Sequence, residues 1–439
     1  MSPSAVQQPE SITELNSAAV AQNIAQTAPS IAPASATPAS TLPELDASQL
    51  RKNLSAAPRA VPDRNSPEVW SMSTCTDHMV TVRWTADNGW EAPELKPYGP
   101  LSLMPTASCL HYATECFEGM KVYRGYDGKL RLFRPDKNCE RMVLSSARIA
   151  LPAFDPRELQ KLVEALVEQD GSKWLPVSQP GQFLYIRPTM IANAPALGVQ
   201  RPREALLYVI LCLFPSFDEP TGTQAPVPGQ TLKKPGLKLL ASQDDMVRAW
   251  PGGFGFAKVG ANYGPSLIAQ NEAKQRGYDQ ILWLFGSNAE VTEAGASNFF
   301  VVWRTRDGAL QLVTAPLQDK IILDGVTRRS VLQLARERLT KTWEGDGIKI
   351  EGLEIVERKF TMSEVDEAIA EGRLVEAFAA GTAFFIAPVS EIHFRGKDLD
   401  IPLAAGTTGH YAALLKNWLR NIMYGKERHE WGVVVEETA

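Results

Sequence analysis

The stretch GGFGFAKVGANYGPSL, residues 252–267, sets five glycines around one cation, Lys258, which stands between Phe256-Ala257 and Val259-Gly260. Glycine clusters invite two phosphate-loop readings, and both fail on spacing. After Gly253-x-Gly255, a dinucleotide fingerprint needs its third glycine where the chain has Lys258. After Gly255-x-x-x-x-Gly260, a P-loop needs Lys and then Ser or Thr, and the chain has Ala261 and Asn262. The lysine is therefore the informative residue. Apolar neighbours disfavour an ammonium and favour the neutral amine, a nucleophile whose natural partner is an aldehyde or ketone. The small residues beside it would admit a flat ligand to the backbone. A lone lysine is more often a strand-edge residue with its amine in water, so other features have to carry a chemical role.

Three do so. EVTEAGASN (290–298) places Glu293 in a turn between two strand-like runs. A carboxylate there, set beside a pyridine nitrogen, would hold that nitrogen protonated. LDGVTRRS (323–330) starts a helix at Gly325, Val326 and Thr327, where free N–H groups and the helix dipole suit a phosphate. VEAFAAGTAFF (375–385) ends an apolar strand in Gly381-Thr382-Ala383, a small-residue turn with N–H donors for a carboxylate. Taken singly, these are a solvated carboxylate, a helix cap and a hairpin turn. Taken together, a reactive lysine, a ring-nitrogen partner and a phosphate seat match the demands of pyridoxal 5′-phosphate.

The bulk properties exclude other classes. With 439 residues, 44% hydrophobic, 22% charged and a net charge of −5, the chain offers no basic surface for nucleic acid or membrane. No apolar run approaches the ~18 residues of a membrane span. The five cysteines (75, 109, 116, 139 and 212) are odd in number and contain no CxxC, which argues for a reducing compartment. The five histidines form no metal-ligand spacing, so no metal is expected.

Residues 1–66, rich in Ala, Ser and Pro, read as disordered because they offer little apolar surface against the entropy of ordering. Their first 50 positions carry Glu10, Glu14, Glu44 and Asp46 and no Lys or Arg, which favours the cytosol over a mitochondrial transit peptide. Order is expected from near Trp70. Alternation predicts strands at 79–84 and 129–134, apolar runs predict strands at 183–192 and 205–214, and 158–170 is an amphipathic helix. Residues 214–236 carry five prolines and read as an interdomain loop. Beyond it come a strand at 237–241, a helix at 264–277, strands at 280–286, 298–304 and 310–315, and a helix at 324–339. The fold class is α+β in two domains, a smaller one at 67–213 and a larger one at 237–439.

Several blocks then carry a resemblance: TDHMVTVRW, SCLHYATECFEGMKVYRG, LRLFRPDKNCERM, LYIRPTMIANAPALGV, RAWPGGFGFAKVGANYGP, LWLFGSNAEVTEAGASNFFV, LDGVTRRS and AGTAFF. In this order they resemble the branched-chain amino acid aminotransferases of pyridoxal-phosphate fold-type IV, in their long eukaryotic form, from about Thr76 to Val433. The resemblance implies a cofactor at the domain interface, bonded by Lys258, which also moves the substrate proton. It implies that Glu293 faces the ring nitrogen and Tyr263 the phenolic oxygen. Arg141 is implied to hold the phosphate bidentately, with the N–H groups of Val326 and Thr327. Tyr112, Phe117, Tyr185 and Val199 would wall the substrate side chain, Val199 from a second subunit of a homodimer. Thr382 and Ala383 would hold the α-carboxylate, and Arg187 would receive glutamate or 2-oxoglutarate. The substrates implied are leucine, isoleucine and valine.

The chain departs from the family wording at small positions. Ala294 and Ala296 stand in TEAGASN where the eukaryotic pattern commonly reads TEVGTMN, and Ala261 and Ala192 each replace a glycine. Phe384-Phe385-Ile386-Ala387 follows GTA, so the CxxC of the mammalian enzymes is absent and no thiol switch is expected there. These changes leave the chemical residues intact and cluster near the substrate, which points to a specialised paralogue for an unusual aliphatic amino acid. D-amino acid aminotransferases and aminodeoxychorismate lyases share the lysine and glutamate but lack the SCLHYATECFEGMKVYRG block. A non-catalytic binding protein of this fold would not need Lys258, Glu293 and Arg141 together.

Overall fold

Alternation along VTVRW and the apolar runs FLYIRPTMIA and EALLYVILC build adjacent strands of one sheet. In the computed structural model, which describes residues 42–64, 66–215, 235–345 and 347–437, these are Cys75–Thr85, Phe183–Ala192 and Glu204–Cys212. Among the described residues the first sheet has ten strands. Its path runs Arg51–Lys52, Glu94–Pro97, Cys75–Thr85, Glu204–Cys212, Phe183–Ala192, Met120–Arg124, Leu130–Phe133 and Gly432–Val435. The helix Pro156–Trp174 starts at Asp155, whose carboxylate accepts from Arg157 N–H, with proline in the first turn. Its apolar face, Leu159, Leu162, Val163, Leu166 and Val167, recurs at helical spacing and joins Val80, Val122, Leu184 and Val209 in one core.

Among the described residues the second sheet has nine strands, on the path Glu290–Ala294, Gln280–Phe285, Leu237–Ala241, Phe385–Phe394, Leu374–Gly381, Ser297–Arg304, Leu310–Thr314 and Glu354–Glu357. Both faces of its central strands are buried, as continuous apolar runs require. Phe300, Val302, Phe378 and Ala380 face the helices Val326–Arg338 and His410–Met423, and Phe299, Val301, Ala377 and Ala379 face Met362–Ala370. Among the described residues no helix is long and apolar enough to cross a membrane.

The chain ends correct two sequence expectations. Order begins well before Trp70: Leu45 is buried, Arg51 and Lys52 pair with Glu94 and Leu95, and Arg64 donates to Trp174 O at 2.7 Å and Phe183 O at 3.2 Å. These ties are side-chain and backbone bonds to distant residues, so local composition gives no sign of them. At the other end, Gly432–Val435 pairs with Leu130–Phe133, so the last strand of the expected 237–439 domain belongs to the first sheet. The proline-rich connection lies almost wholly outside the described residues, as does the reading for residues 1–41.

Candidate active site

Lys258 lies in an irregular segment, not on a strand edge. The segment is pinned on both sides of the lysine: Lys258 N–H donates to Ser145 Oγ at 2.9 Å, Phe117 N–H donates to Lys258 O at 3.0 Å, and Val259 bridges to Cys116. Two of the glycines around it serve close approach of the protein's own atoms. A Cβ on Gly255 would meet Ile321 O at 2.1 Å, and one on Gly260 would meet the Glu115 carboxylate at 2.1 Å. The amine itself is half-buried. Its Nζ donates to Tyr263 Oη at 3.2 Å and sits 5.1 Å from the centre of the Phe117 ring.

Lys258 opens on a cavity of about 560 Å³ walled by both sheets. The first supplies Phe117, Gly119, Tyr185 and Arg187; the second supplies Ala294, Ser297, Ala379, Gly381 and Ala387, with Thr382 and Ala383 in the turn between its two central strands. Tyr185 stacks on Phe214 at 4.5 Å, and its hydroxyl accepts from Arg187 Nη2 at 3.0 Å. The Arg187 guanidinium lies 4.4 Å from the Phe117 ring centre, and its Nε is buried with no hydrogen-bond partner. Thr382 Oγ1 donates to Gly119 O at 3.4 Å, and Lys121 Nζ donates to Ala383 O at 2.9 Å, which ties the turn to the first sheet.

A second cavity of about 280 Å³ shares Tyr263, Gln280 and Ala296 with the first and reaches Glu293 and Arg248. Glu293 corrects the sequence expectation: it lies within the strand Glu290–Ala294 and is only 3% exposed, not in a turn. Its Oε1 accepts from Leu323 N–H at 3.0 Å and Asn298 Nδ2 at 3.2 Å, and its Oε2 pairs with Arg248. Burial pushes its carboxyl up, against the opposing pull of Arg248. Arg248 was not among the residues expected from sequence. Its Nε is buried without a partner beside the same cavity.

Arg141 departs from expectation in detail. Its Nε and Nη2 form the bidentate pair with Glu118, at 2.7 and 2.8 Å, and Nη1 donates to Asp324 O at 2.9 Å. The edge expected to grip a phosphate is thus engaged by protein, and the residue holds the turn that precedes Gly325. Beyond that turn the helix Val326–Arg338 starts with no side-chain cap, leaving its first N–H groups without a side-chain acceptor. Val326 and Thr327 are buried there beside Asn138 and Thr382, around a cleft of about 20 Å³. A water fits a space of that size; a phosphate requires side chains to move outward.

Two expected wall residues are not brought in. Tyr112 is 39% exposed on the short helix Cys109–Tyr112 and Val199 is 90% exposed, and neither lines the cavity within one chain. Glu118, Arg248 and Gln280 are the additions. Glu118 and Arg248 fall inside the resembling blocks FEGMK and RAWPGG, which was the available signal.

An amine hydrogen-bonded to a tyrosine, a buried carboxylate and an uncapped helix start line three neighbouring cavities that share residues. Residues 115–392 match the family described as Amino-transferase class IV, and the chain belongs to that family. Its relatives within it include branched-chain aminotransferases. The cytosolic branched-chain-amino-acid aminotransferase of Saccharomyces cerevisiae is 45% identical over 403 residues, 90% of this chain and 99% of the yeast protein. The mitochondrial enzyme of Bos taurus is 43% identical, covering 88% of this chain and 91% of its own. Among solved structures, the T.th. branched-chain enzyme complexed with N-(5′-phosphopyridoxyl)-L-glutamate aligns at a TM-score of 0.59 with 25% identity, over 81% of this chain and 98% of that one. The Thermoproteus uzoniensis enzyme, at 0.59 and 24% identity over 81% of this chain and all of its own, shares the fold.

Proposed function

We propose that the chain transfers the amino group of a branched-chain or other aliphatic L-amino acid, leucine, isoleucine and valine first, to 2-oxoglutarate. The products are the 2-oxo acid and L-glutamate, and the cofactor is pyridoxal 5′-phosphate. The observation that carries this reading is the Lys258 amine, 3.2 Å from Tyr263 Oη, on a cavity continuous with Glu293 and walled by apolar side chains. The residues suit the cofactor by chemistry: Glu293 for the ring nitrogen, Tyr263 for the phenolic oxygen and, once the side chains around their tight cleft move outward, the N–H groups of Val326 and Thr327 for the phosphate. Arg141 holds the Asp324 carbonyl just before them. When bound, the group supplies an aldehyde for the amino nitrogen and a ring that takes up the electrons of the substrate Cα.

The protein's own part is positional and protic. Lys258 Nζ removes the proton at the substrate Cα and returns one in the reverse half-reaction, the role of a positioned base. Tyr263 Oη fixes that amine. The Thr382–Ala383 turn binds the α-carboxylate, and the aromatic wall of Phe117 and Tyr185 excludes water from it. Arg187, with an unpaired Nε, receives the distal carboxylate of the second substrate. A second copy of the chain completes the wall, because Tyr112 and Val199 are exposed and await a partner surface. The cofactor then lies between the 67–213 and 237–431 regions. The cytosol is the compartment we propose, since the first 50 residues carry four carboxylates and no Lys or Arg.

The test is turnover of L-leucine with 2-oxoglutarate by the cofactor-loaded protein, read as 4-methyl-2-oxopentanoate and glutamate formed in equal amounts. Lys258→Ala is expected to lower the rate by ~10²–10⁴-fold or more. Equal rates for the two proteins would contradict the reading.

A further inference from the structure

We infer that Cys75 and Cys212 are a redox pair, which a mild oxidant joins in a reversible disulfide. The two stand opposite each other where the strand Cys75–Thr85 pairs antiparallel with Glu204–Cys212. One step beyond them, Leu213 N–H donates to Thr74 O at 2.8 Å. That bond makes Cys75 and Cys212 a non-hydrogen-bonded pair, whose Cα atoms lie ~4.5 Å apart with both side chains on one face. A disulfide spans Cα separations of ~4.4–6.8 Å, so the bond closes without rearranging the sheet. Both thiols are free and both residues are buried, but not deeply. Cys212 Sγ lies 3.3 Å from the carbonyl oxygen of Met72, a residue 46% exposed.

The surroundings favour a thiolate at Cys75. The Cys212 thiol beside it draws it down against its burial, helped by the Tyr98 hydroxyl and by the Arg59 guanidinium, whose Nη1 donates to Cys75 O at 3.3 Å. Giving that hydrogen bond pushes Cys212 up, so Cys212 is the partner that keeps its proton. Burial pushes up the other three, Cys109, Cys116 and Cys139, which makes them poorer nucleophiles. With hydrogen peroxide as oxidant, the Cys75 thiolate attacks one oxygen, the O–O bond breaks, and a sulfenic acid and hydroxide form. The Cys212 sulfur then attacks the Cys75 sulfur, the S–O bond breaks, and the hydroxyl leaves as water with the Cys212 proton. Two thiols are oxidised and one peroxide is reduced to two waters. In a reducing compartment such a bond is transient, as a redox sensor requires. Cys212 also stands opposite Tyr185 in the next strand, and Tyr185 lines the Lys258 cavity. Drawing the two sulfurs to ~2.0 Å shifts the strand beside Tyr185 and loosens the bond its hydroxyl accepts from Arg187. This effect on the substrate wall rests on the transaminase reading above; the oxidation itself does not.

The experiment treats the wild-type holoenzyme with a small molar excess of hydrogen peroxide, quenches it with acid, and counts thiols in the denatured protein, with peptide mapping by mass spectrometry. Five free thiols are expected before treatment and three after it, with Cys75 and Cys212 linked, and dithiothreitol is expected to restore all five. Cys75→Ser and Cys212→Ser are each expected to form no link, and either serves if the other does not fold. Five thiols surviving peroxide in the folded wild type, a link between other cysteines, or Cys75 carried on to its sulfinic acid with Cys212 still a thiol would each overturn the inference and leave the transaminase reading intact. The linked holoenzyme is expected to show KM for 2-oxoglutarate raised about three- to tenfold, the loss of one hydrogen bond, and restored by dithiothreitol. A linked protein with KM unchanged would overturn the effect on the substrate wall. A reduced protein that turns over no leucine would overturn the transaminase reading, while the thiol count would still decide the redox pair.

Discussion

Glu293 lies between opposing demands. Its burial favours the neutral acid, and its pairing with Arg248 favours the carboxylate that a ring nitrogen needs. Removing the cation therefore acts on both fold and chemistry. Arg248→Met leaves a buried carboxylate without its counter-charge, a loss of ~3–5 kcal/mol for a buried pair. A lowered melting temperature and weaker retention of the cofactor's visible band are expected, with Arg248→Lys recovering part of both. Equal melting temperatures would contradict the pairing. Gly119 makes a second residue-scale prediction: a Cβ there would stand 2.1 Å from Tyr185 Oη. Gly119→Ala is expected to push the tyrosine off Arg187 and raise KM for 2-oxoglutarate more than for leucine, which steady-state kinetics would read. Lys258 was legible because an amine among small apolar residues is unusual, and resemblance to known sequences supplied the neighbours. Arg248 was missed because the single arginine that opens RAWPGG carries no local sign of facing a carboxylate 45 positions away in the chain.

Two helix starts show how elements handle their unpaired N–H groups. Val326–Arg338 has no side-chain cap, which leaves its first N–H groups open to the phosphate proposed above. His410–Met423 begins against Glu376, whose carboxylate accepts from Tyr411 N–H at 3.1 Å and Ala412 N–H at 2.7 Å. Burial pushes Glu376 up to about 7, more than those bonds pull it down. The folded value is raised, so the native state holds a proton that the unfolded chain has released across the range from its ordinary value to about 7. Stability from this group is therefore full at low pH and falls as pH rises through that window, by about 3 kcal/mol in all. Urea unfolding at pH 5 and pH 8 is expected to show that loss in the wild type and a flatter profile in Glu376→Gln; identical slopes would contradict it. Most elements were legible because their patterns are clean: FLYIRPTMIA and LKLLA are strands over those same residues. The strand Glu290–Ala294 was not, because Gly295 and the small residues after it read as turn while Glu293 hides a buried position under a charged side chain.

At the scale of the whole molecule, the last strand returns to the first sheet, and Glu437 meets Arg124 at 2.6 and 2.7 Å where the guanidinium is fully buried. Sequence patterning gave the alternation of strands and helices but not this closure, since register across three hundred residues leaves no local trace. A chain ending at Trp431 would lose both the strand and the counter-charge of Arg124. A loss of ~3–5 kcal/mol in unfolding free energy is expected for the ion pair alone, and unchanged urea midpoints would contradict the closure. The central claim, that Lys258 and its cavity exchange amino groups through a bound cofactor, has one direct test. The visible absorbance of purified, cofactor-loaded protein would be scanned alone, after L-leucine, and again after 2-oxoglutarate. Loss of the band with leucine and its return with 2-oxoglutarate is the predicted result, and its absence in Lys258→Ala ties it to that amine. A band that ignores every amino acid, or no band at all with pyridoxal 5′-phosphate supplied, would contradict the account.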